Sequence, residues 1–303
     1  MKLTICICTY NRNESLKSCI KSINKLVNQS SIKINIIIID NSKNFNVVKI
    51  KNKLINISKY KIIFLNEKKR GIVNARNKFL KSLKNVTPNF ICFFDDDCIV
   101  DKYWLKNVIK TSKTFKADVI TGPQVYQKNR INKNLINYSS FFEKNYNNSV
   151  CEVNWAASNN VFINYSILKN NKLLFDINLN KFGIGEDQLF FSLLKKRGNS
   201  IYWNKNVKVY EKSHFHRTNL LWLVKRSFRL GVLGHYLDKK IHGVIFGYNY
   251  NYVKSLYYLL KSFLYMLLFF NKYSRINAIN FFARFIGRVS GPFVFKKIDF
   301  LKI

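Results

Sequence analysis

Proline and glycine are scarce, 3 and 11 among 303 residues. That scarcity excludes collagen-like and breaker-rich disordered chains, and 48% hydrophobic residues supply a core for one large or two modest domains. The six cysteines form no CxxC pair, and none of the four histidines stands at zinc-finger spacing, so neither a disulfide framework nor a zinc finger is expected. Cys6, Cys8, Cys19, Cys92, Cys98 and Cys151 sit in apolar surroundings and read as reduced core residues. No Gly-x-Gly-x-x-Gly, Walker loop or Gly-x-Ser-x-Gly occurs, which removes support for dinucleotide, P-loop and hydrolase-elbow readings. The N-terminus turns polar at Thr9-Tyr10-Asn11-Arg12 before a signal-peptide apolar region reaches length, so a cytoplasmic location is expected.

Acidic residues are also few, 16 against 52 Lys and Arg, for a net charge of +36. Such a balance favours anionic partners, including nucleotide phosphates, acidic lipid and nucleic acid. The cations are mostly Lys interleaved with Asn and Ile along the whole chain, a spread that weighs against a dedicated nucleic-acid groove. A nonenzymatic protein binding nucleic acid or acidic membrane is the alternative to the enzyme described below.

The first half alternates β-branched runs with helix-period stretches, which predicts an α/β fold with a mostly parallel central sheet flanked by helices. Strands are expected at residues 3–8, 34–39, 61–65 and 90–94, with helices after Asn13, as N-cap, and over 72–83. Shorter strands are expected at 119–122, 153–156 and 161–163, and at the sheet edge from 201–203 and 207–209. In such sheets the carboxyl ends of the strands form the ligand crevice, so Thr9, Asn11, Asp40, Asn66 and the triplet Asp95-Asp96-Asp97 should converge there. A domain over residues 1–216 and a helical, basic and aromatic region over 217–303 are predicted. Within the latter, residues 253–270 fall short of the roughly 20 apolar residues of a spanning helix. Its tyrosines and lysines suit peripheral membrane contact or packing on the catalytic domain equally well.

Three adjacent carboxylates in so basic a chain call for a cation, and Asp95 and Asp97, spaced i and i+2, suit Mg²⁺ or Mn²⁺ with a diphosphate completing the coordination. Arg76, at a helix start after Arg70-Gly71, is a candidate phosphate partner or an ordinary exposed arginine. Glu186-Asp187 opens a helix after Gly183-Ile184-Gly185, where an acid either stabilises the helix terminus or acts as a general base. His214 stands as a metal-ligand candidate beside Asp95 and Asp97; it and His216 suit metal, phosphate or a structural role.

Taken together, residues 8–12 (CTYNR), 39–42 (IDNS), Arg70-Gly71 through Asn77, the Asp triplet and Gly183 to Asp187 resemble glycosyltransferase family 2 over roughly residues 3–235. The resemblance implies a GT-A fold, a nucleotide-sugar donor, a divalent cation and inversion at the anomeric carbon. It places Thr9, Tyr10, Asn11, Arg12 and Asp40 around the nucleotide, Arg76 near the base or diphosphate, Asp95 on ribose or metal and Asp97 on the metal. It makes Asp187 the catalytic base, and Asn160 and Glu186 acceptor-side contacts. Asn41 stands where members often carry a second Asp, and the Gln-x-x-Arg-Trp motif of processive synthases is absent, which argues for transfer of one sugar to a glycan or lipid-linked acceptor. A sugar nucleotidyltransferase, the other enzymatic rival, would carry a Gly-rich N-terminal loop that this chain lacks.

Overall fold

The computed structural model describes residues 1–28, 32–127, 146, 148–171, 173–212, 220–268, 270–295 and 297. Two compact units emerge, Met1–Asn180 with Glu186–Ser213, and Lys181–Gly185 with His214–Ile303.

In the first unit, apolar runs become β1 (Lys2–Thr9), β2 (Lys33–Asp40), β3 (Lys61–Asn66) and β4 (Phe90–Asp95). Their side chains alternate between two cores, as the two-residue period requires. Ile5, Ile7, Ile36, Ile38, Cys92 and Phe94 pack on one face with α1 (Asn13–Ile23) and Leu54 of α2 (Lys51–Ile57). Cys6, Ile37, Ile39, Ile91 and Phe93 pack on the other with Val73 and Phe79 of α3 (Ile72–Ser82). Burial of each such side chain contributes about 1.5–3 kcal/mol.

After β5 (Cys98–Val100) and α4 (Trp104–Phe115) come β6 (Val119–Thr121), β7 (Gln124–Gln127), β8 (Val150–Glu152) and β9 (Asn160–Asn164). Then follow α5 (Tyr165–Asn171), α6 (Glu186–Lys196), β10 (Ile201–Asn204) and β11 (Val209–Lys212). The main sheet has eight strands in the order β3-β2-β1-β4-β9-β6-β10-β8. β9 runs antiparallel to both β4 and β6, and β8 antiparallel to β10. The remaining pairings are parallel.

Three expectations shift. Asn13 lies inside α1, with Arg12 as N-cap and no side-chain cap bond. The strand expected at 153–156 forms at Val150–Glu152 instead. The segment expected at the edge of the main sheet, β11, builds a separate three-stranded sheet, β5-β11-β7, because it pairs with the short strand that follows the Asp triplet.

The second unit holds three long helices, α7 (Leu220–His242), α8 (Val244–Leu267) and α9 (Lys272–Val294). Phe182, from the short segment 181–185, stacks on Phe295 there at 4.7 Å between ring centres. Among the described residues, no helix is long and apolar enough to cross a membrane.

Candidate active site

Strand register lines up the polar residues at the carboxyl ends. Thr9 pairs with Asp40, Asp40 with Asn66, and Cys8 with Asp95. The chain steps outward from β1 to β2 and β3 and returns to β4 on the other side of β1, so this edge is a topological switch point.

Only part of the expected nucleotide shell faces outward. Tyr10, Asn11 and Arg12 are exposed. Asn11 adopts a left-handed backbone (φ 56°), which asparagine tolerates better than most residues, and its Oδ1 accepts from Asn46 Nδ2 at 2.7 Å. The Arg70 guanidinium lies 5.1 Å from the centre of the Tyr10 ring.

Thr9 and Asp40, expected around the nucleotide, are buried and support neighbouring residues. The Thr9 hydroxyl donates to Asp96 Oδ2 at 2.7 Å. Both Asp40 oxygens accept backbone N–H groups, from Ser42 at 2.8 Å and Val47 at 2.7 Å, which shapes the loop after β2. Asn41 ties that loop to its neighbour: its Nδ2 donates to the carbonyls of Glu67 and Lys69, and its Oδ1 accepts from Gly71 N at 2.6 Å. An amide provides donors and an acceptor together, which an Asp at this position would not. Gly71 itself has φ 124°, and a Cβ there would lie 1.9 Å from the Asn180 side chain.

The three aspartates diverge. Asp96 is buried between Thr9 and Arg12, and burial pushes its carboxyl up to about 6 against their opposing pull. Arg12 Nη1 donates to Asp97 Oδ2 at 2.7 Å and to Asp96 Oδ1 at 3.2 Å. Asp95 turns toward Arg76 Nη2, 3.5 Å away. Arg76 is buried, its guanidinium sits 5.7 Å from the centre of the Phe175 ring, and Nη1 donates to Glu186 Oε1. Burial opposes the charge on Arg76, but Glu186 and Asp95 outweigh it and hold the guanidinium ionised.

Arg76 thus links the triplet on β4 to the acidic start of α6, 91 residues further along the chain from Asp95 to Glu186. Asp187, half-buried, follows at once. Its Oδ1 accepts from Gln188 N at 2.7 Å and its Oδ2 from Ser158 N at 3.4 Å. Burial, reinforced by the adjacent Glu186 charge, pushes its carboxyl up to about 7 despite Arg76 and these two N–H groups. A carboxylate so placed is suited to accept a proton near neutral pH.

The two residues expected on the acceptor side are both buried. Asn160 is fully buried: Oδ1 accepts from Trp104 Nε1 at 2.7 Å, while Nδ2 donates to the carbonyls of Val207 at 2.7 Å and Pro123 at 3.3 Å. It braces β9 against α4. Asn160→Ala is expected to destabilise the fold by about 1–3 kcal/mol for each partner left buried and unpaired, read from urea unfolding midpoints. Glu186 is likewise buried, with one carboxylate oxygen paired to Arg76.

Asp97, expected as a cation ligand, belongs to a group of residues that could hold one. The ligand atoms of Asp97, Cys98 and Glu211 lie within 4.8 Å of one another. Two carboxylates suit Mg²⁺ or Mn²⁺, whereas the Cys98 thiol is soft and held protonated by burial. Glu211, on β11, escaped the sequence reading; its signal was an isolated acid at a strand end in a basic segment, weak until β11 pairs with β5 and brings it beside Asp97. Asp95 belongs with Arg76 rather than to this group, and His214 lies outside the described residues.

The pattern of "Glycosyl transferase family 2" matches residues 4–170. The chain belongs to that family. It is 26% identical over 245 residues to the succinoglycan biosynthesis protein ExoM of Rhizobium meliloti (strain 1021), spanning 80% of this chain and 78% of ExoM. Among solved structures, the mannosyltransferase PcManGT from Pyrobaculum calidifontis, in complex with GDP-Man and Mn²⁺, matches with a TM-score of 0.61 and 12% identity over 98% of this chain and 88% of that one. S. aureus TarS 1-349 in complex with UDP matches at 0.55 and 15% identity over 96% and 92%. The longer TarS chain is covered over 55% of its length. At these identities the structures establish a shared GT-A fold, as the family resemblance implied.

Proposed function

We propose that this glycosyltransferase moves a single sugar, with inversion, from a nucleotide-sugar donor to a glycan or lipid-linked acceptor in polysaccharide biosynthesis, and that it requires a divalent cation. The observation that carries the reading is the Asp95–Arg76–Glu186 chain, which ties the aspartates after β4 to Asp187. ExoM, named for succinoglycan biosynthesis, supports the product class.

In the reaction, Asp187 takes the proton of the acceptor hydroxyl as its oxygen bonds to the anomeric carbon. The bond from that carbon to the donor phosphate breaks, and its electrons leave with the nucleoside diphosphate. Tyr10, Asn11 and Arg12, exposed at the end of β1, are the residues available to hold the nucleotide. Arg76 keeps Asp95 and Glu186 in place and contributes positive charge toward the leaving group. A divalent cation on Asp97 and Glu211 would offset the negative charge that grows on the departing diphosphate.

A panel of UDP- and GDP-sugars, screened by thermal shift with and without Mn²⁺, tests this reading. At least one donor should raise the melting temperature in a cation-dependent way, because a ligand of the native state stabilises it by mass action. No shift with any donor, together with no donor hydrolysis, would count against it. Glu211→Gln is expected to weaken Mn²⁺ binding by roughly tenfold or more, about 1.4 kcal/mol, in calorimetric titrations. Unchanged affinity would remove Glu211 from the cation site.

A further inference from the structure

Helix α7 buries Leu223, Val232, Leu233 and Leu237 in the ordinary way, but the helix after it has its polarity reversed. Helix α8 turns Gly247, Asn251, Ser255 and Ser262 inward, and these are its buried residues. Its large apolar side chains point out: Ile245 is 76% exposed, Phe246 71%, Leu260 63% and Phe263 58%. Helix α9 repeats the arrangement in part, burying Ser274, Asn277, Asn280, Gly287 and Gly291 along with Ile276 and Ala278, while exposing Ile279, Phe282, Val289 and Phe293.

The interior is held by close backbone approach and a buried polar network. A Cβ on Gly287 would lie 2.2 Å from the Phe228 carbonyl oxygen of α7, and one on Gly231 would lie 2.3 Å from the Arg284 carbonyl oxygen of α9. Arg288 Nη1 donates to Asp238 at 2.7 Å and to Asn251 at 2.9 Å, and Lys254 pairs with Asp238 at 2.7 Å. Small residues and hydrogen-bonded polar groups at helix contacts, with apolar groups outside, characterise helices whose solvent is lipid. In water, so continuous an apolar face marks an interaction surface.

Charge selects the occupant. Residues 220–303 contain fourteen Lys and Arg against two acids, Asp238 and Asp299. Exposed Lys239 and Lys240 precede α8, and exposed Lys272 and Arg275 follow it. Along the helix, Lys254 lies 4.7 Å from the centre of the Tyr250 ring and Lys261 lies 4.9 Å from that of Tyr257, pairings suited to a headgroup layer. No described helix can span a bilayer, which leaves an in-plane seat. We propose that the outward face of α8, extended by α9, inserts into the headgroup–acyl boundary of an anionic bilayer. Cations at both ends of α8 meet the lipid phosphates.

Flotation of the full chain with vesicles tests the proposal independently of any transferase activity. The chain should float with phosphatidylethanolamine–phosphatidylglycerol vesicles and much less with phosphatidylcholine alone. Substituting Leu260→Gln, Phe263→Gln and Leu264→Gln together should lower partitioning at least about tenfold, equivalent to 1.4 kcal/mol. In case that variant fails to fold, Leu260→Trp in the intact chain supplies a second measurement: the fluorescence of the added indole should shift to the blue and be quenched by lipids brominated on the acyl chain. An intact chain that stays out of the anionic vesicle fraction, or Leu260→Trp fluorescence that brominated lipid leaves unchanged, would overturn the proposal. So would a soluble dimer that the glutamine substitutions dissociate while flotation is unaffected.

Discussion

Asp187→Asn is expected to lower kcat for sugar transfer by about 10²–10⁴-fold with little change in donor KM, since it removes the group that accepts the hydroxyl proton and preserves shape. Initial rates with a donor identified by thermal shift provide the measurement. A kcat within a few-fold of the parent would reject Asp187 as the base. The parent enzyme should gain activity as pH rises through about 7, because the carboxyl must be ionised to act and burial beside Glu186 has raised it to that value. Stability runs in the opposite sense. A carboxyl that titrates higher in the native state than in the unfolded chain contributes stability in full below the unfolded value, and the contribution is lost as pH rises through about 7. The Asn variant should therefore lose less melting temperature than the parent between about pH 4 and about pH 7, the window between the unfolded and native titrations of that carboxyl. This comparison separates loss of a base from loss of fold.

Arg76→Met carries the second large effect. It strands Glu186 as a buried carboxylate and removes the only described cation bonded to it, which should cost about 3–5 kcal/mol of stability in urea unfolding. The double variant Arg76→Met/Glu186→Leu, with neither charge left, should recover most of that loss, because an apolar pair of similar volume avoids the desolvation of both ions. Activity should remain low in both variants, since Asp95 and Asp187 lose the residue that holds their segments together. A double variant as unstable as the single one would show that the pair serves packing rather than charge compensation. Restored activity in the double variant would remove Arg76 from the transfer chemistry.

Glu186 illustrates how the role of a motif residue depends on its neighbour. By local pattern alone it is one half of an acidic helix start, and only the family resemblance gives it a different role from Asp187. The fold turns Glu186 inward onto Arg76 and leaves Asp187 half-open, with two backbone N–H groups on its oxygens. Side chains adjacent on a first helical turn point in directions about 100° apart, so a single turn separates the acid paired to Arg76 from the one proposed as base.

The unbroken apolar runs at Ile36 to Ile39 and residues 90–94 were enough to determine strands buried on both faces, because successive side chains of a strand point to opposite sides of the sheet. The order of those strands and the polar residues that end them likewise brought Thr9, Asp40 and the Asp triplet to one edge of the sheet. What tertiary structure alone decided was which polar groups remain available. Thr9, Asp40 and Asn160 have side chains typical of ligand contacts, yet the folded chain consumes their hydrogen bonds: Thr9 on Asp96, Asp40 on its own loop, Asn160 on Trp104. Glu211 gained its place beside Asp97 only through the pairing of β11 with β5. The outward apolar face of α8 was undecided for the same reason: periodicity reveals that a helix has two faces, but only the packing of α7 and α9 determined that the polar one would be buried. Local pattern governs the path of the backbone, while availability of a side chain depends on contacts between residues that the linear order keeps far apart.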